Sequence, residues 1–332
     1  MTRIFSGVKP TGHLTLGNYL GAIRQWVAAD QEPGDALFCV VDLHALTVEH
    51  DPARVRRLSR QAATLLLASG LTPQKCTLFL QSHVDEHTRL SYLLECTATD
   101  GELRRMIQYK EKSARALVSG EGVRLSLLTY PVLMAADILA YEADEVPVGD
   151  DQRQHVELTR DLAVRFNQRY GHTFTVPKAT SPVVAARVMD LQEPTSKMGK
   201  SGGAGPGVVF MLDEPEVIRK KVMRAVTDSG DGGVVYDREA RPGVANLLDV
   251  LAACTGGEPA VLADGYSGYG ALKRDVADAV VELLRPVRER HAELAADPAA
   301  VEKVLREGAG RARALARPVV DRAYRAIGLL EP

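Results

Sequence analysis

Arg3-Ile4-Phe5-Ser6-Gly7-Val8, Ala36-Leu37-Phe38-Cys39-Val40-Val41 and Cys76-Thr77-Leu78-Phe79-Leu80 are the three runs that decide the fold. Each is short, apolar and rich in β-branched or aromatic residues. The second is apolar without alternation, as a strand covered on both faces must be. Between them lie two stretches with helical spacing. From Gly17 to Ala29, Leu20, Ile23, Trp26 and Val27 recur on one face; Val55 to Ser69 is amphipathic and stops at Gly70. Strand, helix, strand, helix, strand within some eighty residues predicts an α/β fold with a doubly wound, Rossmann-like parallel sheet.

Working outward, the middle reads as helical over Glu86–Cys96, Glu102–Ser113 and Thr129–Tyr141, an insertion spanning about 86–142. A turn-rich stretch, Asp144–Asp151, leads into a helix over Gln152–Tyr170, and Pro177–Leu191 returns to extended character. Gly199-Lys200-Ser201-Gly202-Gly203-Ala204-Gly205 is the most flexible sequence in the chain, either a linker or a loop that closes on a ligand. Beyond it Glu214–Thr227, Val244–Cys254, Tyr269–Leu294, with a kink at Pro286, and Pro298–Leu329 read as helices. The expected division is a catalytic α/β domain over 1–205 and an all-helical domain over 206–332.

The 332 residues are 45% hydrophobic and 25% charged, the composition of an ordinary soluble globular protein. With 41 basic against 43 acidic residues, no global pull toward nucleic acid or membrane follows. From Pro206 onward the balance is 18 Lys/Arg to 20 Asp/Glu, so bulk charge does not mark that half as RNA-binding. No segment suits a membrane span or a secretory signal. Cys39, Cys76, Cys96 and Cys254 have no paired spacing, which argues against a disulfide framework or a zinc site and for the cytoplasm.

Three places carry chemistry. Pro10-Thr11-Gly12-His13-Leu14-Thr15-Leu16-Gly17-Asn18 follows the first strand, where helix-terminal N–H groups can meet an anion; it is equally a glycine turn with capping residues. Lys197-Met198-Gly199-Lys200-Ser201 sets two lysines three apart on the flexible loop, able to clamp phosphates or to sit as a basic linker. Tyr130, Met134, Asp137 and Tyr141 share one helix face, so the carboxylate either receives one N–H in an apolar pocket or is a satisfied core aspartate. Gln152, His155 and His44 are further polar candidates.

Taken together these places resemble the bacterial tryptophanyl-tRNA synthetases, a branch of the class I aminoacyl-tRNA synthetases. The likeness also covers Asp42-Leu43-His44-Ala45, Gly101-Glu102-Leu103, Lys110-Glu111-Lys112-Ser113, Tyr130 through Leu139, Val146 through Gln152, Leu158 through Leu162, Lys221 and Lys273. The resemblance implies activation of L-tryptophan with magnesium–ATP, transfer to tRNA(Trp), a homodimer, no protein-held metal and an anticodon-reading helical domain. It implies catalytic roles for Thr15, Asn18, Lys112, Lys197, Lys200 and Ser201. It places ATP against Lys9, Pro10, Thr11, Gly17, Asn18, Gly149, Asp150, Asp151, Val188 and the loop Lys197, Met198, Gly199, Lys200 and Ser201. Tryptophan falls to Asp137, as acceptor for the indole N–H, with Met134, Gln152, Tyr130 and His44 around it.

Two departures stand out from the family pattern: Lys9 replaces a usual Gln, and Gly199 a usual Ser in the loop, with Gly202-Gly203 following where a polar residue is usual. They suggest an altered weighing of tryptophan mimics, as in an inhibitor-resistant form. Competing readings are a tyrosyl-tRNA synthetase, a nucleotidyltransferase of the same fold and a tryptophan-binding regulatory paralogue.

Overall fold

The computed structural model describes residues 2–30, 35–120, 122–180, 188–199, 205–228 and 233–330. Five strands, β1 (Arg3–Val8), β2 (Asp35–Val40), β3 (Thr77–Leu80), β4 (Glu145–Pro147) and β5 (Lys178–Thr180), form one sheet in the order β3-β2-β1-β4-β5. Every pairing is parallel. The chain therefore winds outward from β1 in both directions, and a crevice opens between the carboxyl ends of β1 and β4, where ligands of such sheets bind.

Side-chain alternation sorts the sheet's two faces. Phe5, Leu37, Cys39 and Phe79 point into one apolar cluster; Val8, Ala36, Phe38, Val40 and Leu78 point into another. Helices cover both. They run in chain order as α1 (Leu16–Asn18), α2 (Arg24–Asp30), α3 (Pro52–Ala68), α4 (Glu86–Glu95), α5 (Asp100–Arg104), α6 (Ile107–Val118), α7 (Leu125–Leu139) and α8 (Asp150–Tyr170). After the sheet come α9 (Pro215–Met223), α10 (Pro242–Thr255), α11 (Pro259–Ala263), α12 (Tyr269–Ala296) and α13 (Pro298–Ala326). A single π-helical stretch, Tyr19–Ile23, joins α1 to α2.

Several local readings are corrected. The turn after Asp144 contains β4, and the helix expected over Glu102–Ser113 is two helices parted at Arg105–Met106. The last long helices keep their expected places, and α12 runs on through Pro286.

The helices beyond 206 join the same core as the sheet. Val244, Leu272, Val276, Leu284 and Leu305 share a cluster with Phe38 and Leu78. The helix α13 belongs to both faces: Val301 and Leu305 pack in one cluster, Ala309, Ala312, Ala316 and Val320 in the other. It crosses the sheet at its edge strand β3, where Gly308 lies so close that an added Cβ would stand 1.8 Å from the carbonyl oxygen of Leu78.

Candidate active site

The turn after β1 is built by mutual capping. Thr15, fully buried, is the N-cap of α1 and its hydroxyl accepts from the Asn18 N–H at 3.2 Å. The Asn18 side-chain oxygen in turn accepts from the Thr15 N–H at 3.0 Å. Two orphan donors at a helix start are thus satisfied reciprocally. The turn is tied to the far half of the chain by backbone bonds from Leu16 N–H to the Val209 carbonyl (2.8 Å) and from Met211 N–H to that of Leu14 (2.9 Å). Pro10 is buried and Thr11 exposed beside it.

The loop candidate begins as the second arm of a hairpin. Met189 and Lys197 form an antiparallel bridge, and the Met198 N–H donates to the Val188 carbonyl at 3.1 Å. Asn246 of α10 pins this hairpin by giving to the Met189 carbonyl (3.1 Å) and accepting from its N–H (2.9 Å). Gly17 faces it: a Cβ there would sit 3.3 Å from the Met198 carbonyl oxygen. Val188, Met198 and Gly17, expected around one nucleotide, therefore do meet. Met198 is buried, whereas Lys197 and Gly199 are exposed. Lys200 and Ser201, with Gly202-Gly203, lie outside the described residues. Gly149 caps the 21-residue α8, which Asp150 and Asp151 open with side chains outside the description.

The carboxylate of Asp137, 1% exposed on α7, is the centre of a dense network. Nε2 of Gln81 donates to both its oxygens at 2.8 Å. His44 Nε2 stands 2.9 Å from Oδ2, and His87 Nδ1 2.6 Å from Oδ1. Burial pushes this carboxyl up, but His87 and His44, by charge and hydrogen bond, overcome it and hold the group well below the usual carboxylate range. Four contacts, two on each oxygen, fill the roughly four acceptor positions of this ionised carboxylate, and two of them come from the single Gln81 amide nitrogen.

The stripe expected on α7 divides here. Tyr141 is core, stacked on Phe5 at 5.6 Å with its hydroxyl 2.7 Å from His87 Nε2. Tyr130 and Met134 are half-buried, and the Tyr130 hydroxyl lies 2.7 Å from His155 Nε2. Tyr130 also sits edge-on to His44, ring centroids 6.1 Å apart. Gln152, half-buried in the first turn of α8, donates its backbone N–H to Gly149.

A positive pair completes the site. Lys112 Nζ lies 5.4 Å from the centre of the Tyr130 ring and donates to Gln108 at 2.9 Å. Lys9, at the end of β1, donates to the Thr47 hydroxyl at 3.1 Å. Burial, with the Lys112 charge adding to it, lowers the Lys9 ammonium to about 8. Carboxylate acceptor, half-buried aromatic wall and two ammonium groups thus converge at the carboxyl ends of β1 and β2. Among the described residues no three His, Cys, Asp or Glu side chains are placed to hold a metal ion.

The sequence pattern of the class I tRNA synthetases (W and Y) matches residues 1–285. The chain belongs to this family. Tryptophan–tRNA ligase 1 of Streptomyces coelicolor is 78% identical over 332 residues, all of this chain and 98% of its own length. Tryptophan–tRNA ligase 2 of Streptomyces avermitilis is 50% identical over 99% of this chain and 97% of its own. The crystal structure of tryptophanyl-tRNA synthetase from Mycoplasma pneumoniae superposes with a TM-score of 0.92 at 35% identity, covering 99% of this chain and 98% of that one. That of the Campylobacter jejuni synthetase, complexed with ADP and tryptophan, gives 0.84 at 32% identity over 99% and 100%. Tyrosyl-tRNA synthetase of Aeropyrum pernix, at 20% identity, shares the fold. The activity of this synthetase is the ligation of tryptophan to tRNA.

Two residues of the synthetase's site escaped the sequence reading, Gln81 and His87. Gln81 follows β3 at its carboxyl end, and its side-chain oxygen also accepts from the Leu43 N–H at 3.1 Å. That position was the available signal. His87, buried in α4, had none, because only the fold brings it across fifty residues to Asp137.

Proposed function

We propose that the crevice between β1 and β4 activates tryptophan on ATP and then hands it to the terminal ribose of tRNA(Trp). The observation that carries this reading is the Asp137 carboxylate, buried and ionised beside the half-buried Tyr130 and Met134, with one Gln81 N–H group spread over both its oxygens. An indole N–H takes the oxygen position that Gln81 gives up when it settles on the other oxygen, a bond that a ring without an N–H cannot make.

In this reading a carboxylate oxygen of tryptophan attacks the α-phosphate, a new O–P bond forms, and the bond to the β-phosphate bridging oxygen breaks to release pyrophosphate. The tRNA hydroxyl then attacks the acyl carbon and AMP departs. Neither step requires a protein nucleophile, so the residues act by position and charge. Lys9 and Lys112 hold negative charge at the pocket mouth. Asn18, its orientation set by Thr15, and the N-terminus of α8 at Gly149, Asp150 and Asp151 receive the nucleotide beside Pro10, Thr11, Gly17 and Val188. Lys197 and Lys200, with Ser201, clamp the leaving pyrophosphate. Magnesium arrives on the ATP phosphates and neutralises their charge.

The helical half from 206 is assigned to the anticodon, and the chain to the cytoplasm, where tRNA and ATP meet; no helix among the described residues is long and apolar enough to cross a membrane. The working unit is a homodimer. In support, α6 buries none of its residues and presents Ile107, Leu117 and Val118 to solvent. Exposed apolar groups so grouped mark an interface. The test is pyrophosphate–ATP exchange with each of the twenty amino acids, followed by charging of total tRNA. Exchange with tryptophan and charging of tRNA(Trp) are expected; exchange without charging would instead point to a regulatory paralogue.

A further inference from the structure

On the other side of the loops that build the amino-acid pocket lies a second cavity of about 580 Å³, between the carboxyl ends of β2 and β3, α3 and α13. Asp42 and Ser82 line it, while His44 and the adjacent Gln81 turn the opposite way to Asp137. The same two loops therefore face the groove on one side and the Asp137 network on the other.

The groove is basic. Arg56, Arg60 and Arg306 line it together with His50 and His83. Its two carboxylates are engaged: Asp42 accepts from the Ser82 N–H (2.9 Å) and hydroxyl (2.5 Å), and Glu302 pairs with Arg60 at 2.8 Å. Arg56 and Arg306 form no ion pair among the described residues, which leaves two guanidinium groups for a ligand.

A buried hydroxyl adds an independent sign. Ser59, 6% exposed, lines the groove, and its Oγ has no hydrogen-bond partner. Elsewhere on α3 the hydroxyls bond back one turn, Thr64 to the Arg60 carbonyl at 2.9 Å and Ser69 to that of Leu65 at 2.7 Å. Ser59 forgoes this common helix bond. A buried donor left unmade is costly, and Ser59 is such a donor in the groove wall.

Guanidinium forks with a hydroxyl donor match the oxygens of a phosphate. The imidazoles of His50 and His83 are the rings that line the groove and offer a base a face to stack on, while the guanidinium groups meet the backbone. We propose that this groove binds phosphate, and that the phosphate belongs to the single-stranded acceptor end of tRNA. The source rests on the ligation reading: the acceptor end must pass these loops on its way to the activated amino acid.

The experiment measures tRNA affinity by anisotropy across salt concentrations for Arg56→Ala/Arg306→Ala, Ser59→Ala and Glu302→Gln, with tryptophan-dependent pyrophosphate exchange on the same proteins. The double variant should weaken tRNA about tenfold and flatten the salt dependence by one to two contacts' worth, about 0.7 per phosphate on a single strand. Ser59→Ala should weaken it about threefold, and Glu302→Gln, which releases Arg60, should tighten it; a gain no folding defect produces. Exchange should be unchanged throughout. Unaltered tRNA affinity and salt slope in the double variant would overturn the proposal. Inorganic phosphate is the second probe: if it binds in an Arg306-dependent way while tRNA affinity stays unmoved, the site takes free phosphate and the RNA assignment falls. Absence of tryptophan-dependent exchange in the wild type would strike the underlying reading instead.

Discussion

Asp137 is both a recognition group and a keystone, and the two roles predict different losses. Removing it takes away the indole acceptor, so Asp137→Ala should cost about 2–4 kcal/mol in kcat/KM for tryptophan while the KM for ATP hardly moves. It also strands Gln81, His44 and His87 in the interior, and thermal unfolding should register a further ~3–5 kcal/mol of lost stability. Gln81→Met separates the roles, because the carboxylate and both histidines remain. Its expected signature is a raised KM for tryptophan with a stability loss of about 1–3 kcal/mol, smaller than that of Asp137→Ala; unchanged kinetics would make Gln81 a bystander. Lys9 makes the second residue-scale prediction. With its ammonium lowered to about 8 from 10.5, the folded protein loses this proton first, and between those values the unfolded chain binds more protons. Stability should therefore rise with pH across that window. Attraction for a substrate carboxylate runs the other way, present below pH 8 and lost above it. The KM for tryptophan should climb about fivefold as pH passes 8, and Lys9→Gln should flatten that climb.

The elements show what could be read in advance and what could not. β1, β2 and β3 announce themselves because each reads as an apolar run whose middle side chains are buried. β4 does not: Glu145-Val146-Pro147 has one inward apolar side chain, and its pairing with β1 involves Ile4 and Glu145 alone. Three residues hold no period. The nucleotide turn and the loop were legible as a pair, yet their contact was not, since Gly17 reads as an ordinary turn glycine until Met198 is set against it. The capping of Asn18 by Thr15 was one of two equal readings of that turn, because the same residues serve as well as ligands in a sequence. This contact carries an element-scale prediction. A methyl group at Gly17 meets the Met198 carbonyl oxygen at 3.3 Å and displaces the hairpin by a few tenths of an ångström. Gly17→Ala should lower kcat for exchange about tenfold, near 1.4 kcal/mol of barrier, with the KM for tryptophan kept. Lys197→Ala should share that pattern. A raised tryptophan KM with normal turnover in either variant would put the loop outside the chemistry.

At the scale of the molecule, the boundary expected at 206 marks a change of secondary structure across which the core runs without a break. Phe38 of β2 and Leu272 of α12 lie in one cluster. Gly308 is where this joining is tightest, and Gly308→Ala, forcing a methyl onto the Leu78 carbonyl, should cost about 3 kcal/mol or more in chemical denaturation. Little change would mean that α13 slides freely over β3. A ribosome making this protein releases β3 more than two hundred residues before α13, an interval on the order of 10–40 s. For that time the outer rim of β3 keeps its backbone N–H and carbonyl groups open to any passing strand. The nascent sheet thus depends on a helix that does not yet exist, so a message cut short near codon 298 should yield insoluble chains and not a smaller working enzyme.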